Sequence, residues 1–318
     1  MGKTVAVDLG GTMTRVAIID NGGNIEMKRE IPTPAKETDP SRITAFLSDL
    51  IRSMGSSPVM GIGLSVAGPV DIGKGVLVNP PNMAFRDVPL VLHLARAFDC
   101  PVRMVNDCHA GVLGEMRYGY GGGRNDVVYL TISTGIGAGV ISGGRLILGR
   151  RGNAAEVGHF HVDSMYDLPC GCGHSGHWEG YVSGKYLPWF FGEWCRYHAK
   201  PHWGPDTAEE IFASGRQGDD DILRFIREVA RINARGISDL IVAYDPELII
   251  LDGSVIRANA DLLLPGIMEF VDRYLPLPEI VISALAGDAP LLGASIIAGG
   301  YETQYGDFEL KGLNPLYH

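Results

Sequence analysis

One stretch of this chain gathers side chains that could bind a metal ion. Four potential ligands fall within 19 residues: His159, Cys170, Cys172 and His177. Two imidazoles and two thiols at this spacing are typical of a tetrahedral zinc site that pins a loop. Glu156 and Glu179 bracket the cluster, so such a loop would aim two carboxylates at a polar ligand. His174 competes with His177 for one coordination position, and an empty or oxidised loop is the alternative.

Two glycine-rich turns could bind phosphate. In the first, Asp8-Leu9-Gly10-Gly11-Thr12, the glycines let backbone N–H groups approach an anion closely, and a Mg²⁺ ion on nucleotide phosphates would lie against Asp8. The second, from Ser133 to Gly139, offers the same backbone geometry with two hydroxyls. An ordinary β-hairpin is the alternative for either turn. Neither is a Walker loop or a dinucleotide fingerprint, because Gly-Lys-Ser/Thr is absent and each turn runs into a strand.

Alternating apolar residues predict the strands that position these turns. Residues 4–31 indicate a three-stranded meander, and the same plan recurs at 127–149. Strand and helix patterns alternate elsewhere, which indicates α/β layers. The repeated unit and the chain length predict two lobes that face each other. We expect an N-terminal lobe of residues 1–117, completed by a terminal helix at about 291–318, and a C-terminal lobe of residues 118–290 that carries the metal loop.

A further polar pair follows a strand pattern. Residues 102–105 predict a strand and residues 109–118 a helix, with Asn106 and Asp107 between them. Either side chain could cap the amino end of the helix. A carboxylate at the carboxyl end of a strand could also accept the proton of an attacking hydroxyl group.

The composition excludes several protein classes. A formal net charge of −10 argues against a surface for nucleic-acid phosphates. No apolar run approaches a membrane span, and the chain starts without a secretory signal, so we expect a cytoplasmic protein without a membrane partner. Five cysteines are an odd number, and Cys170 and Cys172 are too close for an unstrained disulfide. We expect three other cysteines to be buried thiols: Cys100, Cys108 and Cys195.

Eight motifs follow one another along the chain. They are Asp8 to Thr12, Ala67 to Asp71 with Asn79 to Asn82, Asn106-Asp107 with Gly114-Glu115, Ser133 to Gly139, Glu156 to His159, the metal cluster, Asp252-Gly253-Ser254, and Leu292-Gly293-Ala294. In this order, from residue 5 to about residue 298, they resemble the ROK family of sugar kinases and sugar-responsive repressors. The resemblance implies the α/β actin-like ATPase (ribonuclease H-like) fold, two lobes around a central ligand cleft, and phosphorylation of hexoses or N-acylhexosamines with MgATP.

The resemblance also assigns site residues. It makes Asp107 the catalytic base. The implied sugar-binding residues are Gly68, Asn82, Asn106, Asp107, Glu156, His159 and Glu179. The implied nucleotide-binding residues are Asp8, Gly10, Gly11, Thr12, Thr134, Gly135, Gly137 and Gly253. The family's zinc pattern is one histidine and three cysteines, and His177 stands here at the third cysteine position, where histidine is an equally competent ligand.

An aromatic stretch departs from the family pattern. It runs from Tyr186 to Trp194 and continues with Tyr197, His198, His202 and Trp203. Such a stretch could stack on a sugar face, but aromatic side chains at helical spacing more often form core or a subunit interface. We favour core or interface, and the resemblance implies a homodimer.

The resemblance implies an ATP-dependent hexokinase of broad ROK type that transfers the γ-phosphoryl group to a hexose hydroxyl. We expect the 6-hydroxyl, with glucose as the first substrate to consider. Fructose, mannose, allose and N-acylhexosamines stay open as substrates. The competing class is a sugar-sensing repressor without kinase activity, and a non-catalytic sugar-binding module is a third. Family repressors carry a helix-turn-helix ahead of the first turn, which here begins at residue 8. We therefore expect the kinase.

Overall fold

The computed structural model describes residues 2–55, 59–201 and 205–299. The strands in the first part of the chain are β1 (Lys3–Leu9), β2 (Met13–Asp20), β3 (Ile25–Pro32), β4 (Ile62–Val66), β5 (Val70–Asp71), β6 (Val76–Leu77) and β7 (Val102–Asn106). The helices there are α1 (Pro40–Arg52), α2 (Leu90–Phe98) and α3 (Asp107–Tyr118).

The remaining strands are β8 (Val127–Ile132), β9 (Ile136–Ser142), β10 (Arg145–Leu146), β11 (Leu248–Asp252) and β12 (Glu279–Ile282). The remaining helices are α4 (Glu179–Val182), α5 (Leu187–Tyr197), α6 (Ala208–Arg216), α7 (Asp220–Tyr244), α8 (Ser254–Ala258), α9 (Ala260–Phe270) and α10 (Ala289–Ala298), with a short 3₁₀ turn at Val157–His159. Residues 300–318, the end of the predicted terminal segment, lie outside the described residues. Among the described helices, none combines the length and the apolar composition that a membrane span requires.

The strands form two five-stranded sheets with the orders β3-β2-β1-β4-β7 and β10-β9-β8-β11-β12. In the first sheet, β1, β2 and β3 pair antiparallel, whereas β4 pairs parallel to both β1 and β7. In the second sheet, β11 pairs parallel to both β8 and β12. The first predicted meander and its repeat are therefore confirmed, although β10 is shorter than expected.

The described residues divide into two compact units. The first contains those of Met1–Asn125, Gly139–Ala154 and Ala284–His318, and the second contains Asp126–Ala138 and the described residues of Ala155–Ser283. The dividing point falls within β9. The lobe boundaries expected at residues 117 and 290 stay a prediction.

The first sheet buries both of its faces, and β1 shows how its sequence achieves this. Val5, Val7 and Leu9 pack into the core that contains the apolar residues of α1 and α2. Ala6 points the other way, into a smaller core with Leu291 and other residues of α10. Successive side chains of a strand alternate between faces, so a continuous apolar run is expected where both faces are covered.

Two glycines of the family-like motifs allow α3 and α10 to pack closely. A β-carbon on Gly114 of α3 would lie 2.2 Å from the carbonyl oxygen of Ala289. A β-carbon on Gly293 of α10 would lie 1.8 Å from the carbonyl oxygen of Ala110. Because both contacts are with backbone, no side-chain rotation could relieve them. The motif residues Gly114 and Gly293 are therefore explained by helix packing.

In the second unit, α7 lies among aromatic side chains. Phe190, Phe191 and Trp194 of α5 are buried and contact Phe225 of α7. The aromatic stretch therefore forms core at these positions, as predicted. Trp189 and Tyr197 are exposed on the same helix, and His202 and Trp203 lie outside the described residues. The predicted buried thiols Cys100, Cys108 and Cys195 are confirmed.

The helix contact yields a stability prediction. We expect Gly293→Ala to lower the free energy of unfolding by about 2 kcal/mol or more, because the new methyl group overlaps backbone that is itself fixed in a helix. Gly122→Ala is the matched control, since its nearest neighbour would be a backbone oxygen 3.8 Å away. Urea denaturation of both variants measures the difference. Equal stability of the two variants would show that the helices separate at little cost.

Candidate functional site

The first glycine turn is fixed by backbone contacts at the end of β1. The N–H of Gly10 donates to the carbonyl oxygen of Met13 at 3.1 Å, and the hydroxyl of Thr33 donates to the carbonyl oxygen of Gly10 at 2.7 Å. A β-carbon on Gly11 would lie 3.1 Å from Cβ of Asn82. The predicted phosphate-binding turn and the predicted sugar residue Asn82 are therefore neighbours.

Asp8 is buried beside this turn, and both of its carboxylate oxygens already have partners. Oδ2 accepts from Nη2 and Nε of Arg15 at 2.6 and 3.0 Å, and Oδ1 accepts from the hydroxyl of Ser65 at 2.7 Å. Asp8 and Arg15 face each other in the hairpin register. Sequence reasoning missed Arg15 and Ser65. A Mg²⁺ ion at Asp8 has to share the carboxylate with the Arg15 guanidinium.

The carboxyl ends of three strands bring the predicted groups of the first unit to one sheet edge. Leu9 of β1 pairs with Val66 of β4, and Val66 pairs with Asn106 of β7. The segments that follow these strands contain the Gly10-Gly11 turn, Gly68 and Asp107. Open α/β sheets bind ligands at this edge.

Asn106 and Asp107 both contact the amino end of α3. The N–H of Cys108 donates to Oδ1 of Asn106 and to Oδ1 of Asp107, each at 2.9 Å. Asn106 is the N-cap, which resolves the alternative that the sequence left open. Asp107 lies in the first helical turn and is partly exposed.

Gly68 occupies a turn that glycine alone fits well. Its φ is +117°, and a β-carbon there would lie 2.7 Å from Cα of Pro80. The N–H of Val78 donates to the carbonyl oxygen of Pro69 at 2.9 Å and holds the two segments together. Because Asn82 follows Pro80 closely, the turn brings Gly68 and Asn82 to the same part of the first unit.

The second glycine turn belongs to the second unit and has an acidic neighbour. Oε2 of Glu179 accepts from the N–H of Ile136 at 3.0 Å, and a β-carbon on Gly135 would lie 2.6 Å from the same oxygen. Glu179 was predicted as a sugar contact, and in the structure it holds this turn. Thr134 is exposed, and Gly137 continues into β9.

The turn after β11 lies next to the second glycine turn. The hydroxyls of Ser133 and Ser254 are 3.1 Å apart, and Gly253 has a φ of +99°. Asp252 is buried at the end of β11, where it accepts from the hydroxyl of Tyr129 at 2.9 Å and pairs with Arg257 at 2.9 Å. Thr134, Gly135 and Gly253 are thus neighbours, and sequence reasoning missed the Asp252 ion pair.

The side chain of Glu156 is exposed at its surface, but protein atoms and charged groups surround its carboxyl group. Desolvation by surrounding protein raises the pKa of its carboxyl group, and the nearby charge of Glu179 raises it further, whereas His159 lowers it. Two carboxyl groups close together disfavour double ionisation. The pKa of Glu156 therefore lies above the ordinary value for glutamate.

The four predicted metal ligands gather in the second unit. One ligand atom from each of His159, Cys170, Cys172 and His177 lies within 4.8 Å of the others. Sγ of Cys170 is 3.7 Å from Nδ1 of His159, and Sγ of Cys172 is 3.2 Å from Nδ1 of His177. His174 is not among the ligands of this group. Two sulfur and two nitrogen donors form a set that suits tetrahedral Zn²⁺.

The electrostatics of the cluster also fit a cation. Burial raises the pKa of the Cys170 thiol to about 11, so without a positive charge nearby the thiol keeps its proton at neutral pH. Burial and the neighbouring His159 lower the pKa of His177. A neutral imidazole is a metal ligand, and a bound divalent cation ionises a coordinating thiol. With Nδ1 of His159 directed at Cys170, Nε2 of this ring remains for another partner.

Comparison with known proteins gives the relatives of this chain. It matches the ROK family over residues 4–300. The glucokinase of Aeropyrum pernix is 35% identical over 312 residues, covering 94% of this chain and 97% of the relative. A Streptomyces griseus ROK family glucokinase, solved with glucose and AMPPNP, has a TM-score of 0.77 at 30% identity, covering 93% of this chain and 99% of that chain. A ROK family transcriptional regulator, a homologue of the E. coli MLC protein, has a TM-score of 0.81 at 25% identity, covering 93% of this chain and 77% of that one.

The two α/β sheets and these structural relatives define the actin-like ATPase fold, which confirms the predicted fold class. The chain belongs to the ROK family.

His109 is a buried histidine that the sequence analysis did not consider. It lies in the first turn of α3, and its Nε2 is 3.2 Å from the carbonyl oxygen of Ala154. Its Nδ1 has no hydrogen-bond partner among the described residues. Burial lowers the pKa of His109 to about 4, although the bond to Ala154 acts in the opposite direction. The ring is therefore neutral in the folded protein near pH 7.

This shift predicts an acid sensitivity. Between pH 6.5 and 4 the unfolded chain binds a proton at His109 that the folded chain does not, so stability falls as the pH falls. From pH 7 to pH 5 we expect His109→Gln to lose about 2 kcal/mol less stability than the parent protein. Urea denaturation at both pH values measures this, with His93→Gln at an exposed position as the control. Identical losses in the His109 variant and the parent would contradict a depressed pKa.

Proposed function

We propose that the protein is a glucokinase-like hexokinase that transfers the γ-phosphoryl group of ATP to the 6-hydroxyl of a hexose. As a ROK family member with glucokinase relatives, it is an ATP-dependent sugar kinase. The observation that carries the finer proposal is the position of Asp107 at the carboxyl end of β7, on the sheet edge where the Gly10-Gly11 turn also lies. Base and phosphate turn thus share one edge of one unit.

In this mechanism Asp107 accepts the proton of the attacking sugar hydroxyl and orients its oxygen toward the γ-phosphorus. Asn106 binds a neighbouring hydroxyl. The backbone amides of Gly11 and Thr12 would hold phosphate oxygens, since the N–H of Gly10 is bonded to the carbonyl oxygen of Met13. Mg²⁺ would enter with the nucleotide near Asp8 and neutralise phosphate charge. In the second unit, Thr134, Gly135 and Gly253 would bind the rest of the nucleotide. Glu156, His159 and Glu179 would bind the sugar.

Glucose is the first substrate to test because the relatives named above include glucokinases. Mannose, fructose, allose and N-acylhexosamines are the other arms of a panel. A coupled ADP-release assay with MgATP on this panel tests the proposal. Glucose should give the highest kcat/KM, and an N-acylhexosamine that exceeds it tenfold would overturn the glucose assignment.

The repressor is the second candidate, because a regulator of the family has the same fold. The intact turn residues and Asp107 favour the kinase, and so does the charge of −10. Selective binding of a DNA duplex at physiological salt, together with no ADP release on any sugar, would favour the repressor.

The base assignment gives a mutational prediction. Asp107→Asn keeps the shape and the bond to Cys108 N–H but removes the basic oxygen, so kcat should fall by about two or more orders of magnitude with sugar affinity nearly unchanged. Asp99→Asn, at the exposed carboxyl end of α2, is the matched control. If kcat of the Asp107 variant stays within threefold of the parent value, Asp107 is not the catalytic base.

We further propose that the cluster of His159, Cys170, Cys172 and His177 binds one structural zinc ion, and that Nε2 of His159 donates to a sugar hydroxyl. A metal-bound imidazole has a fixed tautomer and ring orientation, which makes its other N–H a preset donor.

Homodimerisation and residence in the cytoplasm remain proposals, and sedimentation analysis tests the first.

Metal analysis tests the zinc proposal. Protein purified without chelator should contain one zinc per chain. His177→Ala and His159→Ala should lose it, His177→Cys should keep it, and His174→Ala should keep it as the control, because His174 lies outside the ligand group. Sugar affinity should weaken with zinc loss. A His159→Ala protein with unchanged zinc content and sugar affinity would rule out the bridging role.

A further inference from the structure

A loop of the first unit, residues 149–154, contacts two segments that follow or precede predicted sugar-binding residues: the β5 segment after Gly68, and the helix α3 that begins at Asp107. We name it the strap. The N–H of Ala154 donates to the carbonyl oxygen of Leu148 at 3.1 Å, which closes the loop just after β10. No residue of the strap was predicted as a site residue, and none has a role in the mechanism above.

The strap is bound to β5 by a side chain that forms the two hydrogen bonds a neighbouring strand would form. Oδ1 of Asn153 accepts from the N–H of Val70 at 2.8 Å, and Nδ2 of Asn153 donates to the carbonyl oxygen of Val70 at 2.8 Å. The N–H of Ile72 donates to the carbonyl oxygen of Arg151 at 3.1 Å. Val70 is buried, so both of its backbone groups need partners, and Asn153 supplies them.

Gly152 makes this approach possible. Its φ is +92°, and a β-carbon there would lie 2.6 Å from Cγ2 of Ile72 and 3.2 Å from Cγ2 of Val70. The strap therefore lies directly against β5. Val70 is the second residue after Gly68, whose turn is a predicted sugar-binding element.

The last residue of the strap, Ala154, is bound to α3. The ring of His109 reaches the carbonyl oxygen of Ala154, and because a carbonyl only accepts, Nε2 carries the proton. His109 is the second residue after Asp107. Asn153 and Ala154 are adjacent, so this dipeptide joins the Gly68 turn to the helix that begins at the proposed base.

We propose that Asn153 is a positioning residue for the hexose. It fixes the Gly68 turn relative to Asn106 and Asp107, so that the sugar hydroxyls can contact the turn and this pair at the same time. The inference rests on the proposed function, since it concerns the same sugar site. An aliphatic side chain of similar size fills the same space but leaves both backbone groups of Val70 unpaired. The turn would then move independently of α3, and its sugar contacts would weaken.

The experiment compares Asn153→Leu and Asn153→Asp with the parent protein. For Asn153→Leu we expect the KM for glucose to rise about tenfold, a cost of about 1.4 kcal/mol, with the KM for ATP within about twofold and kcat within about threefold. Asn153→Asp keeps an acceptor for the N–H of Val70 but turns a carboxylate oxygen toward the carbonyl oxygen of Val70, so its KM for glucose should also rise. Asn24→Leu is the control, because Asn24 likewise bonds a turn through its side-chain amide, with Asp20 as its partner.

A merely structural role would predict a different result: lower thermal stability with no selective change in the KM for the sugar. That outcome, or equal changes in both KM values, would overturn the inference. Hydrogen exchange of the peptide that contains Val70, measured without ligand, decides separately whether Asn153 holds the turn, and exchange should be faster in Asn153→Leu. If the parent phosphorylates no sugar of the panel, the proposed function has failed and the positioning role fails with it. Unchanged exchange in an active enzyme overturns the inference alone.

Discussion

The first unit depends on the parallel register of β1, β4 and β7. Parallel strands end at the same edge, so segments far apart in the sequence meet there. Ser65 pairs with Asp8 in this register, and its hydroxyl reaches the Asp8 carboxylate because both side chains lie on the same face. A slip of one residue in β4 would turn Ser65 to the opposite face and break this contact. The hydroxyl of Ser65 therefore favours the register that aligns the strand ends.

The helices α3 and α10, which pack next to this sheet, contact each other and β4 through backbone atoms at glycine positions. Gly114 and Gly293 bring the backbones of α3 and α10 together, and a β-carbon on Gly63 of β4 would lie 1.8 Å from the carbonyl oxygen of Ala294. A helix near the end of the described chain thus contacts both a central strand and the helix that begins at Asp107. Glycines at these three positions place α3 and β4 in direct backbone contact with α10. Backbone contacts hold the position of α3 more rigidly than contacts between side chains that can change rotamer.

The features that the sequence predicts are those with local causes. The apolar strand patterns located β1 and β2, and the polar residues after each strand located the turns. The Asn106-Asp107 pair located the start of α3 to within two residues, without deciding which of the two caps the helix. Contacts between distant residues left no such pattern. Arg15 faces Asp8 across a hairpin and could have been found from the register, but its bond to the carbonyl oxygen of Gly287 depends on the whole fold. The bond between Asn153 and Val70 likewise could not be predicted, because an asparagine next to a glycine is typical of any loop and does not indicate a distant partner.

The two glycine turns have similar sequences, yet their surroundings differ in charge. The first is held by the neutral hydroxyl of Thr33, which donates to a carbonyl oxygen, and the Asp8 carboxylate beside this turn is paired with the Arg15 guanidinium. The second is held by the carboxylate of Glu179, which takes the N–H of Ile136 and lies beside Gly135. A phosphate group at the second turn would meet a like charge, whereas a hydroxyl-rich group would find an acceptor. The chemistry of the two turns thus favours the first for the most highly charged part of a nucleotide, and the second for a part that carries less charge.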